Sequence, residues 1–261
     1  MIGPWSQTAS PLGIAHRGSR LLWPENTLVA FAGAKDSGLS WFETDVRVTR
    51  DGELVCFHDG RLERTTDGRG FLATTTWAEV SALDAGYHHR HESGYTFRGR
   101  GVSVPRFTDV LAAHPEAGLV VDLKAEGTEA PLARHLAEAG REDRVIVGSF
   151  SESRLARFRH LTEGRVATSA GPGAIIRAIL SQGRGSFGRL LEGPARVFQV
   201  PVTWYGVPVV TPSFVRRVHA AGKQVQVWTV NHPEEMKRLV DLGVDGIITD
   251  RPDLLAPLLA P

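Results

Sequence analysis

The tightest constraint on this chain is a unit that recurs along it: a helical stretch, a glycine, a short apolar run and a polar exit. The last two copies show it most clearly. A helix expected over 211–221 stops at Gly222 and is followed by a strand over 224–229; another over 233–241 stops at Gly243 ahead of a strand over 244–249. Near-continuous apolar runs of this length read as strands covered on both faces, and glycine after a periodic stretch is a helix stop. Further strands are expected at 12–16, 41–49, 118–124, 144–148, 165–168 and 197–200, with helices between them. About eight such units argue a (β/α)8 TIM barrel, with right-handed crossovers placing the helices outside. The whole chain, 1–261, reads as one such domain.

Two segments depart from the plan. Arg50-Asp51-Gly52 is a hairpin turn signal, so Glu53–Phe57 should run back against the second strand or continue its unit. From about residue 60 to 104 periodicity weakens and Arg, Gly, Thr and His accumulate, which marks a small insertion after the second strand unit with one short helix near 76–83. Elsewhere, Pro24 suits the first turn of a helix whose packing face is Leu28, Phe31, Ala32 and Lys35. Ser151 is an expected cap, and a helix from Gly173 to Gln182 could extend past Phe187.

The polar residues fall where a barrel enzyme needs them, at strand exits. His16 and Arg17 follow the first apolar run; Glu43 and Asp45 share one face of the second strand, with Phe42, Thr44 and Val46 on the other. His58 ends the run Leu54–Phe57 and is followed by Asp59; Asp122 and Lys124, then Ser149, Gln199 and Trp228, close later strands. His16 and His58 are expected on either side of the carboxylate strand.

These blocks, H-R-G at His16, P-E-N-T at Pro24, E-x-D at Glu43, T-x-D-G at Thr49 and H-D-x-x-L-x-R-T-T at His58, resemble those of the glycerophosphodiester phosphodiesterase family. D-L-K at Asp122, G-S-F at Gly148, V-W-T-V-N at Val227 and G-V-D-G-I-I-T-D-R-P at Gly243 extend the resemblance over nearly the whole chain. It implies metal-dependent hydrolysis of glycerophosphodiesters to glycerol 3-phosphate and an alcohol, with His16 and His58 as acid and base and a cyclic phosphate as an intermediate. Glu43, Asp45 and Asp122 offer only hard oxygen ligands, suited to one divalent cation, Mg²⁺ or Ca²⁺. The family more usually has Glu at the place of Asp122. Arg17 and Lys124 are expected to contact phosphate, with Glu25 and Asn26 as supports around the site. Asp59 either orients a histidine ring or serves the turn. Trp228 and Phe150 form an apolar wall for the alcohol or cap the core; Gln199 and Ser149 are candidate hydrogen-bonding partners of the substrate. Structural ion pairs with Arg17 or Lys124 are the plain alternative for Glu43 and Asp122. The other histidines, and Trp5, Trp23, Trp77 and Trp204, read as packing, surface or loop residues.

Two other functions remain open on this barrel. A lysophospholipase D-type phosphodiesterase would need a larger apolar mouth; a non-catalytic phosphate-binding barrel would not need paired acid–base groups. Thirty basic against twenty-nine acidic residues give a net charge of +1, so no global attraction to nucleic acid is expected and the partner is a small-molecule substrate. The single cysteine, Cys56, lies in an apolar run and forms no internal disulfide. No signal-peptide pattern and no apolar segment near ~20 residues are visible, so stable membrane insertion is not expected and a cytoplasmic location is. Oligomeric state and the preferred alcohol are not legible.

Overall fold

The structure is a computed structural model that describes residues 11–91, 93–180, 191 and 193–260. Its strands are β1 (Leu12–Ala15), β2 (Trp41–Val48), β3 (Leu54–Cys56), β4 (Gly118–Leu123), β5 (Val145–Gly148), β6 (Ala167–Thr168), β7 (Val197–Pro201), β8 (Thr203–Trp204), β9 (Val207–Pro208), β10 (Gln224–Trp228) and β11 (Gly246–Thr249). Eight of them pair in parallel in the order β6-β5-β4-β2-β1-β11-β10-β7. A parallel bridge between Ser169 and Val197 joins the two ends. The protein is thus a (β/α)8 TIM barrel. Helices α1 (Leu28–Asp36), α2 (Trp77–Ser81), α3 (Phe107–Ala113), α4 (Glu129–Glu138), α5 (Glu152–Leu161), α6 (Pro172–Leu180), α7 (Pro212–Ala220), α8 (Pro233–Leu242) and α9 (Pro252–Leu259) occupy the connections. No helix among the described residues is long and apolar enough to cross a membrane.

Period-2 alternation sorts the strand residues into two cores. Ile14, Trp41, Val120, Ile146, Val197 and Ile248 fill the lower barrel, while Ala15, Phe42, Val46, Val121 and Val147 pack outward against the helices. The inward series continues upward along the same strands into Glu43, Asp45, Asp122 and Gln199. A barrel this small is plugged with side chains below, and among the described residues the charged groups of its interior, Glu43, Asp45, Asp122 and Lys124, lie at the top.

Several local expectations are corrected. Helix α1 begins at Leu28, not Pro24; Thr27 caps it by accepting from Ala30 N. Its buried face is Ala30, Phe31 and Ala34, whereas Leu28, Ala32 and Lys35 are exposed; Trp23 lies across Gly33 on the same helix. β3 runs antiparallel to β2, pairing Val46–Val48 with Leu54–Cys56. It adds to the same edge of β2 that β1 uses lower down: Asp45 O accepts from Phe57 N, while Val46 O, facing the other edge, accepts from Lys124 N. The two histidine-bearing exits therefore follow one edge of β2 and do not flank it. Residues of the 60–104 segment build a small apolar cluster of their own, including Leu62, Leu72, Val80 and Val102, on Val55 of β3 and on Phe57 just after it. The extension of α6 through Gln182 and Phe187, and Trp5, lie outside the described residues.

Gly118 shows how closely the lower barrel is filled. A Cβ there would land inside the Trp41 indole, which cannot move without opening the core. Gly118→Ala should therefore cost about 1–3 kcal/mol, the usual scale for overpacking, seen as a lower urea midpoint at unchanged slope. An unchanged midpoint would show that the barrel floor yields freely.

Candidate active site

Apart from Asp59, the strand-exit residues singled out from sequence line one cavity of about 500 Å³ at the top of the barrel: His16, Arg17, Glu43, Asp45, His58, Asp122, Lys124, Ser149, Phe150, Gln199 and Trp228. They come from β1 to β5, β7 and β10 or from the turns that follow, so barrel closure brings them together.

Both imidazoles are held at Nδ1 by a carboxylate. His16 Nδ1 is 2.7 Å from Asp250 Oδ1, and His58 Nδ1 is 2.6 Å from Asp59 Oδ1. An ionised carboxylate can only accept, so each pair favours the Nδ1–H tautomer and leaves Nε2 as the acceptor. Asp250 is fully buried. It also accepts from Arg20 Nε at 3.2 Å and from Asn231 Nδ2 at 3.0 Å, and Asn231 Oδ1 takes the Asp250 backbone N–H at 2.8 Å. Burial would raise the Asp250 carboxyl, but these donors bring it below its ordinary value. Burial also lowers the pKa of His58, against the opposing pull of Asp45 and Asp59.

The carboxylates are unevenly neutralised. Asp45 has Lys124 Nζ 3.1 Å from Oδ1, Arg17 Nε 3.1 Å from Oδ2 and Asn26 Nδ2 donating at 2.9 Å. Burial pushes its pKa up, yet Lys124 and Arg17 outweigh that and lower it. Among the described residues, Glu43 receives a hydrogen bond only from the Arg17 backbone N–H, at 3.0 Å, with His16 Nε2 3.9 Å away. Burial, then repulsion from Asp45, push Glu43 up to about 7. Asp122 pairs with Lys124 Nζ at 2.6 Å. Lys124 keeps a raised pKa despite burial because Asp45 and Asp122 both face it.

The oxygen donors suit a hard divalent cation, and two of them, Asp45 Oδ1 and Asp122 Oδ1, are buried without a hydrogen bond. Asp122 Oδ1, and Asp45 Oδ1 with only the Lys124 ion pair beside it, fit Mg²⁺ or Ca²⁺ in kind. Lys124 lies against the same two side chains, and among the described residues no three His, Cys, Asp or Glu groups are gathered at metal-ligand spacing. Lys124 and an ion would thus compete for Asp45.

Some expected partners are occupied otherwise. Arg17 pairs with Glu25 at 2.9 Å as well as with Asp45. Ser149 Oγ donates to Leu123 O at 3.0 Å, and Gln199 Nε2 donates to Gln226 Oε1 at 2.9 Å. Trp204, read from sequence as a packing or loop residue, packs against the core and also stands in the cavity wall. Asp250 and Arg64 were missed. Asp250 carried a signal, since it follows Ile248 by two residues and so continues the inward face of β11. Arg64, which bonds Glu25 at 2.7 and 2.8 Å and Asp59 at 2.5 Å, had only its place in the H-D block.

Residues 16–254 match the glycerophosphoryl diester phosphodiesterase family. A Mycobacterium tuberculosis protein named probable glycerophosphodiester phosphodiesterase 2 is 38% identical over 251 residues, 95% of this chain and 90% of its own length. An Oleispira antarctica phosphodiesterase, solved with the product sn-glycerol-3-phosphate, is 27% identical, with a TM-score of 0.76 over 95% of this chain and 96% of the other. The glycerophosphoryl diester phosphodiesterase domain of another M. tuberculosis protein shares the fold, with a TM-score of 0.86 at 19% identity, covering 95% of this chain and 99% of that one.

The Asp250 contact makes a specific prediction. Asp250→Asn should admit the other His16 tautomer and lower kcat by about 10²-fold, while ¹⁵N spectra of the neutral ring show Nε2–H where the parent shows Nδ1–H. Parent-like kcat and tautomer together would reduce Asp250 to a structural anchor.

Proposed function

Because this chain belongs to the glycerophosphoryl diester phosphodiesterase family and is a phosphodiesterase of that kind, we propose that its cavity hydrolyses a glycerophosphodiester to glycerol 3-phosphate and an alcohol. One observation carries the reading: two imidazoles, each oriented at Nδ1 by its own carboxylate, open on a cavity shared with Arg17, Lys124 and three carboxylates. Binding alone would not require two oriented proton carriers. The product held by the Oleispira antarctica relative supports the same product here.

In the proposed reaction one histidine accepts at Nε2 the proton of the glycerol 2-hydroxyl, whose oxygen attacks phosphorus. The bond from phosphorus to the alcohol oxygen breaks, and the other histidine, protonated, gives its Nε2 proton to that oxygen. Water then opens the cyclic phosphate with the proton transfers reversed. Intramolecular attack gains from proximity, with effective molarities reaching about 10⁵ M when aligned. Lys124 and Arg17 place positive charge beside the phosphate oxygens. A divalent cation held by Glu43, Asp45 and Asp122 would neutralise phosphoryl charge when bound. Residence in the cytoplasm is part of this proposal; the lone Cys56, buried and raised to about 12 by that burial, needs no oxidising compartment.

His16→Ala or His58→Ala should each lower kcat at least about 10²-fold, and a substrate lacking the 2-hydroxyl should bind yet turn over far more slowly. Equal kcat for deoxy and normal substrates would replace the cyclic route by direct attack of water. Chelation should abolish release of glycerol 3-phosphate, with Mg²⁺, Mn²⁺ and Ca²⁺ restoring it unequally and Asp122→Glu changing their order. Full activity of demonstrably metal-free protein would end the metal assignment.

A further inference from the structure

Behind the cavity, one cation joins the two loops that carry the histidines. Arg64 uses all three nitrogens of its guanidinium. Nε donates to Asp59 Oδ2 at 2.5 Å, Nη1 to Glu25 Oε2 at 2.8 Å, and Nη2 to Glu25 Oε1 at 2.7 Å and to Asp59 Oδ1 at 3.2 Å. The two oxygens that Nη2 reaches are the ones already in use at the site. Asp59 Oδ1 holds His58 Nδ1 at 2.6 Å, and Glu25 Oε1 takes Arg17 Nη1 at 2.9 Å. Arg64 thus stands behind two residues of the cavity lining, His58 and Arg17, with one carboxylate between it and each.

The sequence builds this placement locally. Leu62 and Thr66 are buried, and Leu62 O accepts from Thr66 N at 3.1 Å and from Thr66 Oγ1 at 2.8 Å, which closes one turn. Leu62 packs with Val55 and Phe57, so Arg64, midway between the two buried residues, lies on the other side of that turn. Arg47 Nε donates to His58 O at 2.8 Å. That bond fixes the His58 backbone and leaves the ring to Asp59. Burial would raise the Asp59 carboxyl, but Arg64, then His58, bring it down to about 2. Glu25 is also held below its ordinary value against burial, by Arg64 ahead of Arg17. Both carboxylates stay ionised and can only accept. Without the Arg64 fork, among the described residues, Asp59 would keep a side-chain bond only to His58, and Glu25 only to Arg17.

We infer that Arg64 is a positioning residue with two separable arms: through Asp59 it sets the ring of His58 for proton transfer, and through Glu25 it sets Arg17 for its contact with phosphate. The inference rests on the proposed reaction and adds to it a residue that touches neither substrate nor reacting atoms. A guanidinium is needed because four contacts to two carboxylates require a planar fork, which a lysine ammonium does not provide.

The test is a pair of double-mutant cycles on the full chain, with a divalent ion present. Arg64→Met should lower kcat for glycerophosphocholine about tenfold, the low end of what losing a partner behind a reacting group costs. ¹⁵N spectra of its neutral His58 ring should gain an Nε2–H population, and calorimetry should show glycerol 3-phosphate bound several-fold more weakly. In an Asp59→Asn background the same substitution should cost no further kcat, and in a Glu25→Gln background no further affinity. Arg64→Lys should fail to restore the His58 tautomer. The Arg64 side chain is 45% exposed, so its ion pairs add little to stability, and the urea midpoint of Arg64→Met should match the parent's. Parent-like tautomer and affinity in Arg64→Met overturn the inference, as do effects that simply add in both backgrounds, or full rescue by lysine. A parent protein that turns over no glycerophosphodiester would end the reaction proposed above, while the His58 tautomer and the product affinity, both measured without turnover, still decide this inference.

Discussion

The upper barrel depends on how buried negative charge is balanced. Glu43 and Asp45 point inward from one strand, and Asp122 stands beside Asp45 in the register of β2 and β4. Removing a carboxylate from water costs several kcal/mol even after relaxation. An opposite charge about 3 Å away returns about 5 kcal/mol at an effective dielectric of 20. The two magnitudes are close, so the number of neighbours decides each case. Asp45, with Lys124 and Arg17 both at 3.1 Å, stays ionised. Glu43, with one backbone N–H and a more distant imidazole, drifts to about 7. Two carboxylates on one strand face, both buried, thereby acquire different characters.

That balance is carried into the loops by hydrogen bonds. Arg17, Ser19 and Asn26 adopt left-handed backbone conformations, with φ of 53°, 81° and 56°, which non-glycine residues hold only when their surroundings over-determine them. Here Asn26 bridges Thr44 Oγ1 and Asp45 Oδ2, and its N–H returns to Arg17 O at 2.9 Å. Ser19 Oγ donates to Asp250 O at 2.6 Å. Arg64 reaches from the 60–104 segment to both Glu25 and Asp59, so the carboxylate that orients His58 and the one that restrains Arg17 share a cation. The first and last strands and the insertion are thus tied around the histidines. Catalytic precision of this sort needs rigid support behind each reacting group.

The strand and helix order was legible in the sequence because it is written in local periods: two for strands, 3.6 for helices, with glycine and proline as punctuation. The same period placed Glu43 and Asp45 on one inward face and set Asp122 beside Lys124, since successive side chains must alternate. Motif spacing brought out His16 and His58. What local period could not report was contact across the closed barrel. Asp250 meets His16 across 234 residues and Arg64 meets Glu25 across 39, pairings that exist only once β11 closes on β1 and the insertion folds back. The same holds for the edge of β2 that β3 joins, for the turn of α1 toward Ala30 and Ala34, and for Trp204 in the cavity wall. Bond geometry acts over a few residues and fixes which face a side chain takes. Its partner on that face is chosen by packing and charge balance among distant segments, which only the tertiary structure decides.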